Sequence, residues 1–123
     1  MLPIALDKIA HIIIQARDHD SGVNPWVHQG GGRQHGTRHA LHDFIADLNE
    51  DEQAALVAVM WIGRDSFEPE ELEEAMRTAR AERTVPTEDY LMGEPRLADL
   101  LEAGLEALGI PPEAAEDDLH RPV

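Results

Sequence analysis

The sequence predicts an all-α fold: one small single-domain bundle of five to six helices around a central apolar helix at residues 54–62. Three observations carry this. Nine apolar residues run without interruption from Ala54 to Ile62, and a helix that is apolar on every side has to be enclosed by others. The other Leu, Ile and Val residues recur mostly at three- and four-residue spacing, and no alternating run stands between turn residues. A chain of 123 residues fits one domain and buries one modest core. The domain is read as 1–109, with a flexible Gly-rich loop at 20–36 and an acidic, disordered tail at 110–123.

The first helix is expected over Leu6–His19. Leu6, Ile9, Ile13 and Ala16 form one stripe, which Ile12 and Ile14 widen. Asp7 in the first turn and Arg17 in the last suit the helix dipole. The next segment, DSGVNPWVHQGGGRQHG, has five Gly and one Pro among its 17 residues, which argues against ordered helix. The second helix is expected over Arg38–Leu48, with Thr37 as N-cap and Leu41, Phe44, Ile45 and Leu48 facing the core.

Asn49 followed by Glu52 has capping-box spacing and starts the central helix, with Glu50 and Asp51 at its positive end. Gly63 is read as its left-handed stop and Arg64 as a cation on the dipole. The fourth helix is expected over Pro69–Arg83. Phe67 and Leu72 staple its start, Glu73 pairs with Arg77, and Arg77, Arg80 and Arg83 gather at its end. Thr87–Met92 reads as a short helical turn closed by Gly93. The last helix runs over Pro95–Leu108, with Leu97, Leu100, Leu101, Leu105 and Leu108 inward and Gly109 as its stop.

Net charge is −15, unevenly spread: residues 1–61 hold 8 acids and 4 bases, residues 62–123 hold 17 and 6. Such a field repels phosphate backbones and anionic headgroups, so neither nucleic acid nor a membrane surface is expected as partner. The longest apolar run, nine residues, is far short of the ~20 that span a bilayer. The N-terminal MLPIALDKIAHIII has no basic segment before its apolar run and makes a poor secretory signal. There is no cysteine, which excludes disulfides and thiolate metal sites. The expected location is the cytoplasm.

The segments LNEDEQ, LVAVMWIGR, EELEEAMRTAR and YLMGEPRLADLLEAGL together resemble the bacterial family catalogued as domain of unknown function 3775. The resemblance covers Ala40 to Leu108, and IAHIIIQARD is similar to the family's first helix. It implies a small bacterial helical domain. It brings no activity, cofactor or site residue with it.

Candidate chemistry is sparse. His35, His39 and His42 stand at spacing four and three, and on a helix His39 and His42 share a face. Three imidazoles with one open position would suit zinc, although the Glu of an HExxH motif is missing. Glu70 with Glu74, and Glu102 with Glu106, lie on polar helix faces rather than in the enclosed site that acid–base work needs. Ser21 and Ser66 sit in turns without a nucleophile elbow. Gly30 to Gly32 neither follow a strand nor open a helix, so they do not make a phosphate loop.

WIGRDSF supplies the candidate binding residues Trp61, Arg64 and Asp65, since Trp and Arg together are favoured at interface hot spots. The leading expectation is a non-enzymatic protein-interaction or structural module acting as a homodimer, because the first and third helices carry more apolar surface than a small bundle needs. It has no cofactor. The alternatives are a small zinc-dependent enzyme built on the histidines at 35–42, and an acidic regulator that docks a basic protein.

Overall fold

Asn49 starts the central apolar helix. Its side chain accepts a hydrogen bond from the Glu52 backbone N–H at 2.8 Å, and Glu52 accepts one from the Asn49 N–H at 3.0 Å. This is the reciprocal cap its sequence announced. The other Glu52 carboxylate oxygen takes Lys8 Nζ at 2.6 Å, which ties the first helix to the cap. Lys8 and the Asn49 amide hold the Glu52 carboxyl below its ordinary range.

A computed structural model describes residues 2–21 and 40–110 of the chain. Among them lie six helices and no strand: α1 (Leu6–Ser21), α2 (40–46), α3 (Glu50–Gly63), α4 (Leu72–Ala81), α5 (Thr87–Met92) and α6 (Leu97–Ala107). The chain is helical and forms one small domain, as its apolar spacing requires. None of the described helices is long and apolar enough to cross a membrane. Asp20 and Ser21, expected in the Gly-rich loop, instead close α1, while the rest of that loop, with His35 and Gly30 to Gly32, together with Thr37, Arg38, His39 and the tail from residue 111, lies outside the described residues.

Helix α3 is enclosed. Every residue from Ala54 to Met60 is buried, as is Ile62, and Trp61 is half-buried. It packs chiefly on α6 and α4, and α6 packs in turn on α1. The core is aliphatic: Ile9, Ile12 and Ile13 of α1, Leu41 and Ile45 of α2, Leu56 and Met60 of α3, and Leu101 and Leu105 of α6 are at most 2% exposed. Each such side chain contributes roughly 1.5–3 kcal/mol by leaving water. His11 of α1 lies 4.6 Å from the Phe44 ring of α2. Arg17 joins α1 to α6 through Glu102 at 2.6 Å and Asp99 at 3.3 Å, which hold its guanidinium firmly charged.

Two glycines let α3 and α6 cross in backbone contact. A β-carbon on Gly104 would sit 2.1 Å from the Val59 carbonyl oxygen, and one on Gly63 would sit against the Leu100 carbonyl. The expected left-handed stop at Gly63 is therefore incorrect. Gly63 is the last helical residue, and the left-handed position falls two residues later on Asp65, at φ 65°. The Ser66 N–H donates to the Trp61 carbonyl at 2.9 Å and the Asp65 N–H to the Ile62 carbonyl at 3.0 Å, which completes a Schellman ending. Helix α6 ends the same way with Gly109 at φ 83°, and there the expected stop and the observed one agree.

The fourth helix also departs from its expected bounds. Pro69–Glu71 forms a 3₁₀ turn, and the α-helix proper begins at Leu72 and ends at Ala81 rather than Arg83. Proline's fixed φ suits this tight first turn. Among the described residues Glu73 and Arg77 form no ion pair. The arginines of this segment reach across to α3 instead, Arg80 to Asp51 at 3.2 Å and Arg83 to Glu50 at 3.9 Å.

Candidate functional site

The 82–86 connection leaves α4 and returns the chain along α3 as α5. The sequence RAERTVPTED has one apolar side chain that no helical face absorbs, Val85, and Pro86 fixes the entry to α5. Val85 is 48% exposed and Tyr90 of α5 is 37% exposed, the large apolar side chains most open to water among the described residues. Both line the same groove.

The groove runs along α3 in two adjoining parts. The part nearer the C-terminus of α3 holds about 210 Å³, with Trp61, Val85 and Tyr90 as apolar walls and Glu82 and Thr84 at the edge. The part nearer the α3 N-terminus holds about 220 Å³ and is lined by Glu50, Gln53, Ala54 and Arg80 among others. Val57, Ala79, Arg83 and Thr87 line both parts. Helix period explains the shared wall: residues 50, 53, 54, 57 and 61 recur along one face of α3. Gln53, Ala54 and Val57 of that face are buried and Trp61 is half-buried, while residues 82–86 beside them are exposed.

Trp61 is held in place from two sides. Its indole N–H donates to the Tyr90 hydroxyl at 2.9 Å, and Phe67 stacks on it with ring centroids 5.6 Å apart at 21°. The exit turn of α3 and helix α5 thus orient the ring that forms the end of the groove. Phe67, expected as a staple toward Leu72, has this ring as its stacking partner.

The three binding residues expected from WIGRDSF part company here. Trp61 lines the groove. Arg64 and Asp65 do not, and both are exposed on the exit turn. Arg64 Nε donates to Ser66 Oγ at 3.3 Å, and Asp65 occupies the left-handed position of the helix stop. The residues that join Trp61 come from distant sequence: Val57, Glu82, Arg83, Val85, Thr87 and Tyr90. The one local signal for them was Val85, an isolated apolar residue inside a polar connection.

Charge around the groove is partly spent. Glu50 faces Arg83 and Asp51 faces Arg80, while Glu82 has no ion-pair partner among the described residues. Behind α5, His42 Nε2 lies 2.9 Å from Asp89 Oδ1, and His42 Nδ1 lies 3.7 Å from Asp43. The hydrogen bond to the Asp89 carboxylate raises the His42 pKa above its ordinary value; desolvation opposes it, and Asp43 and Glu88 add smaller effects in the raising direction. Of the three histidines proposed for zinc, only His42 falls within the described residues. No cluster of three potential ligands stands among those residues.

No curated protein and no solved structure matches the chain. A family model matches residues 38–110, a span that contains α2 to α6 and every groove residue from Glu50 to Tyr90 and leaves α1 outside. The chain therefore belongs to the family described as Protein of unknown function (DUF3775).

Proposed function

We propose that this protein is a protein-interaction module whose groove receives an apolar side chain carried on a basic segment of another protein. One observation carries the reading: the exposed apolar residues Val85 and Tyr90 converge on one groove whose end is a pre-oriented tryptophan. Rigid aromatic walls of this kind anchor partners at little entropic expense. Charge selects the partner. The chain carries −15, and Glu82 at the groove edge has no cation of its own among the described residues. A basic segment is attracted to this surface, and a second copy of the same acidic chain is repelled. The apolar faces of α1 and α3 that suggested a homodimer are taken up inside the monomer, by Ile9, Ile12, Ile13 and Ala54 to Met60.

Selection from a displayed random-peptide library tests this, with the Val85→Glu variant used for depletion. Enriched peptides are expected to place Leu, Ile, Met or an aromatic residue beside Lys or Arg, and to bind more weakly as salt rises. Enrichment of acidic or featureless sequences, or equal binding to Val85→Glu, overturns the reading. Light scattering at high micromolar concentration addresses the homodimer directly: a concentration-dependent dimer that Val85→Glu dissolves would make a second copy the occupant.

A further inference from the structure

The groove has a polar floor that its apolar walls do not explain. Thr87 lines both parts of the groove yet is only 6% exposed, and its hydroxyl has no hydrogen-bond partner among the described residues. Gln53, 5% exposed, donates its Nε2 to the Ile45 carbonyl at 3.0 Å, and its side-chain carbonyl has no partner among them either. Buried hydroxyl and amide groups are ordinarily paired, because leaving one unpaired is destabilising. Both groups belong to residues that line the groove, and a ligand docked there can supply the partner that each lacks.

We infer that the Thr87 hydroxyl and the Gln53 side-chain carbonyl hydrogen-bond the main chain of the docked segment, which therefore binds in an extended rather than a helical conformation. This rests on the docking reading above and adds the form of the occupant. Gln53 offers an acceptor and needs an N–H. Thr87 offers both a donor and an acceptor and suits a carbonyl or an N–H. A peptide main chain presents this alternation. A helix cannot, because its interior N–H and C=O groups are already bonded to one another. The apolar anchor then enters between Val85, Tyr90 and Trp61, while the main chain crosses above Thr87 toward Gln53.

The test uses the full chain and a synthetic peptide of the enriched sequence. Thr87→Val keeps the shape and removes the hydroxyl. The expected result is a split. The urea midpoint of the free protein rises, because an unpaired buried group has gone, and peptide affinity falls about tenfold. N-methylation at each peptide position in turn is expected to abolish binding at one or two neighbouring amides and to leave the rest unchanged. A peptide stapled into a helix is expected not to bind. A lower urea midpoint in Thr87→Val would show that the hydroxyl serves the fold, and would overturn the inference. Binding that Val85→Glu abolishes, but that neither Thr87→Val nor any N-methyl group affects, would overturn it while leaving the docking reading intact. Absence of any binding peptide overturns both.

Discussion

Gly63 and the Leu100 carbonyl are in contact so close that a β-carbon on Gly63 would lie 1.9 Å from that oxygen. The obstacle is backbone on the opposite helix, so no side-chain rotation relieves it. Gly104 repeats the arrangement against Val59, 2.1 Å from the carbonyl oxygen. Gly63→Ala and Gly104→Ala are therefore each expected to separate α3 from α6. The loss is about 3 kcal/mol or more, the upper range for overpacking. Urea denaturation of both variants measures it. A loss below about 0.5 kcal/mol, the range of neutral surface changes, would show that the helices do not cross this closely.

Asp65 holds the left-handed position that Gly109 holds at the end of α6. The two helix stops have the same hydrogen-bond pattern, but only one uses the residue without a β-carbon. Aspartate tolerates this conformation better than most residues and is still strained in it. Asp65→Gly is expected to stabilise the protein by about 0.5–1 kcal/mol. Asp65→Val, branched at the β-carbon, is expected to destabilise it. If the two variants melt together, the left-handed turn is absent in solution.

These two positions show what the sequence could express and what it could not. The end of α3 was legible, since WIGRDSF contains a glycine, a cation and turn residues. The assignment of the left-handed residue was not, because a glycine needed for close helix approach is identical in sequence to one needed for a turn. Asn49 and Glu52 were legible because a capping box is local, with both partners inside one turn. The groove was not, because its walls come from α3, α4 and α5 and meet only after packing. Trp61 stands out as a candidate by its own chemistry, and it lines the groove. Thr87 and Gln53 carry no signal until their burial is known.

Glu52 links the α3 cap to α1, and its depressed pKa fixes the sign of a pH effect. A carboxyl whose folded pKa lies below its unfolded value binds fewer protons when folded. Its contribution is present above the ordinary glutamate pKa and is lost as pH falls through the folded one. Glu52→Gln retains an acceptor for the Asn49 N–H and loses the charge facing Lys8. At neutral pH it is expected to cost about 1 kcal/mol, modest because Lys8 is 43% exposed. The gap between wild type and Glu52→Gln in urea midpoint is expected to shrink as pH is lowered below the ordinary glutamate range. A gap that stays constant down to that acid limb contradicts the assignment.

His42 works in the opposite direction. Its pKa is raised, chiefly by the hydrogen bond to Asp89. The folded protein therefore holds the proton more tightly than the unfolded chain. The stabilisation is complete below the unfolded histidine pKa and is lost as pH rises through the folded value. The contact joins α2 to α5, so it bears on the helix that carries Thr87 and Tyr90 into the groove. Proton NMR titration is expected to give His42 a midpoint above that of an ordinary histidine, and Asp89→Asn is expected to bring it down. Because the pair is exposed, high salt is also expected to reduce the upward shift. A His42 midpoint that ignores both Asp89→Asn and salt would mean that α2 and α5 are not joined by this pair in solution, and α5 would then rest on Leu91, which is fully buried in the core, and on the hydrogen bond between Trp61 and Tyr90.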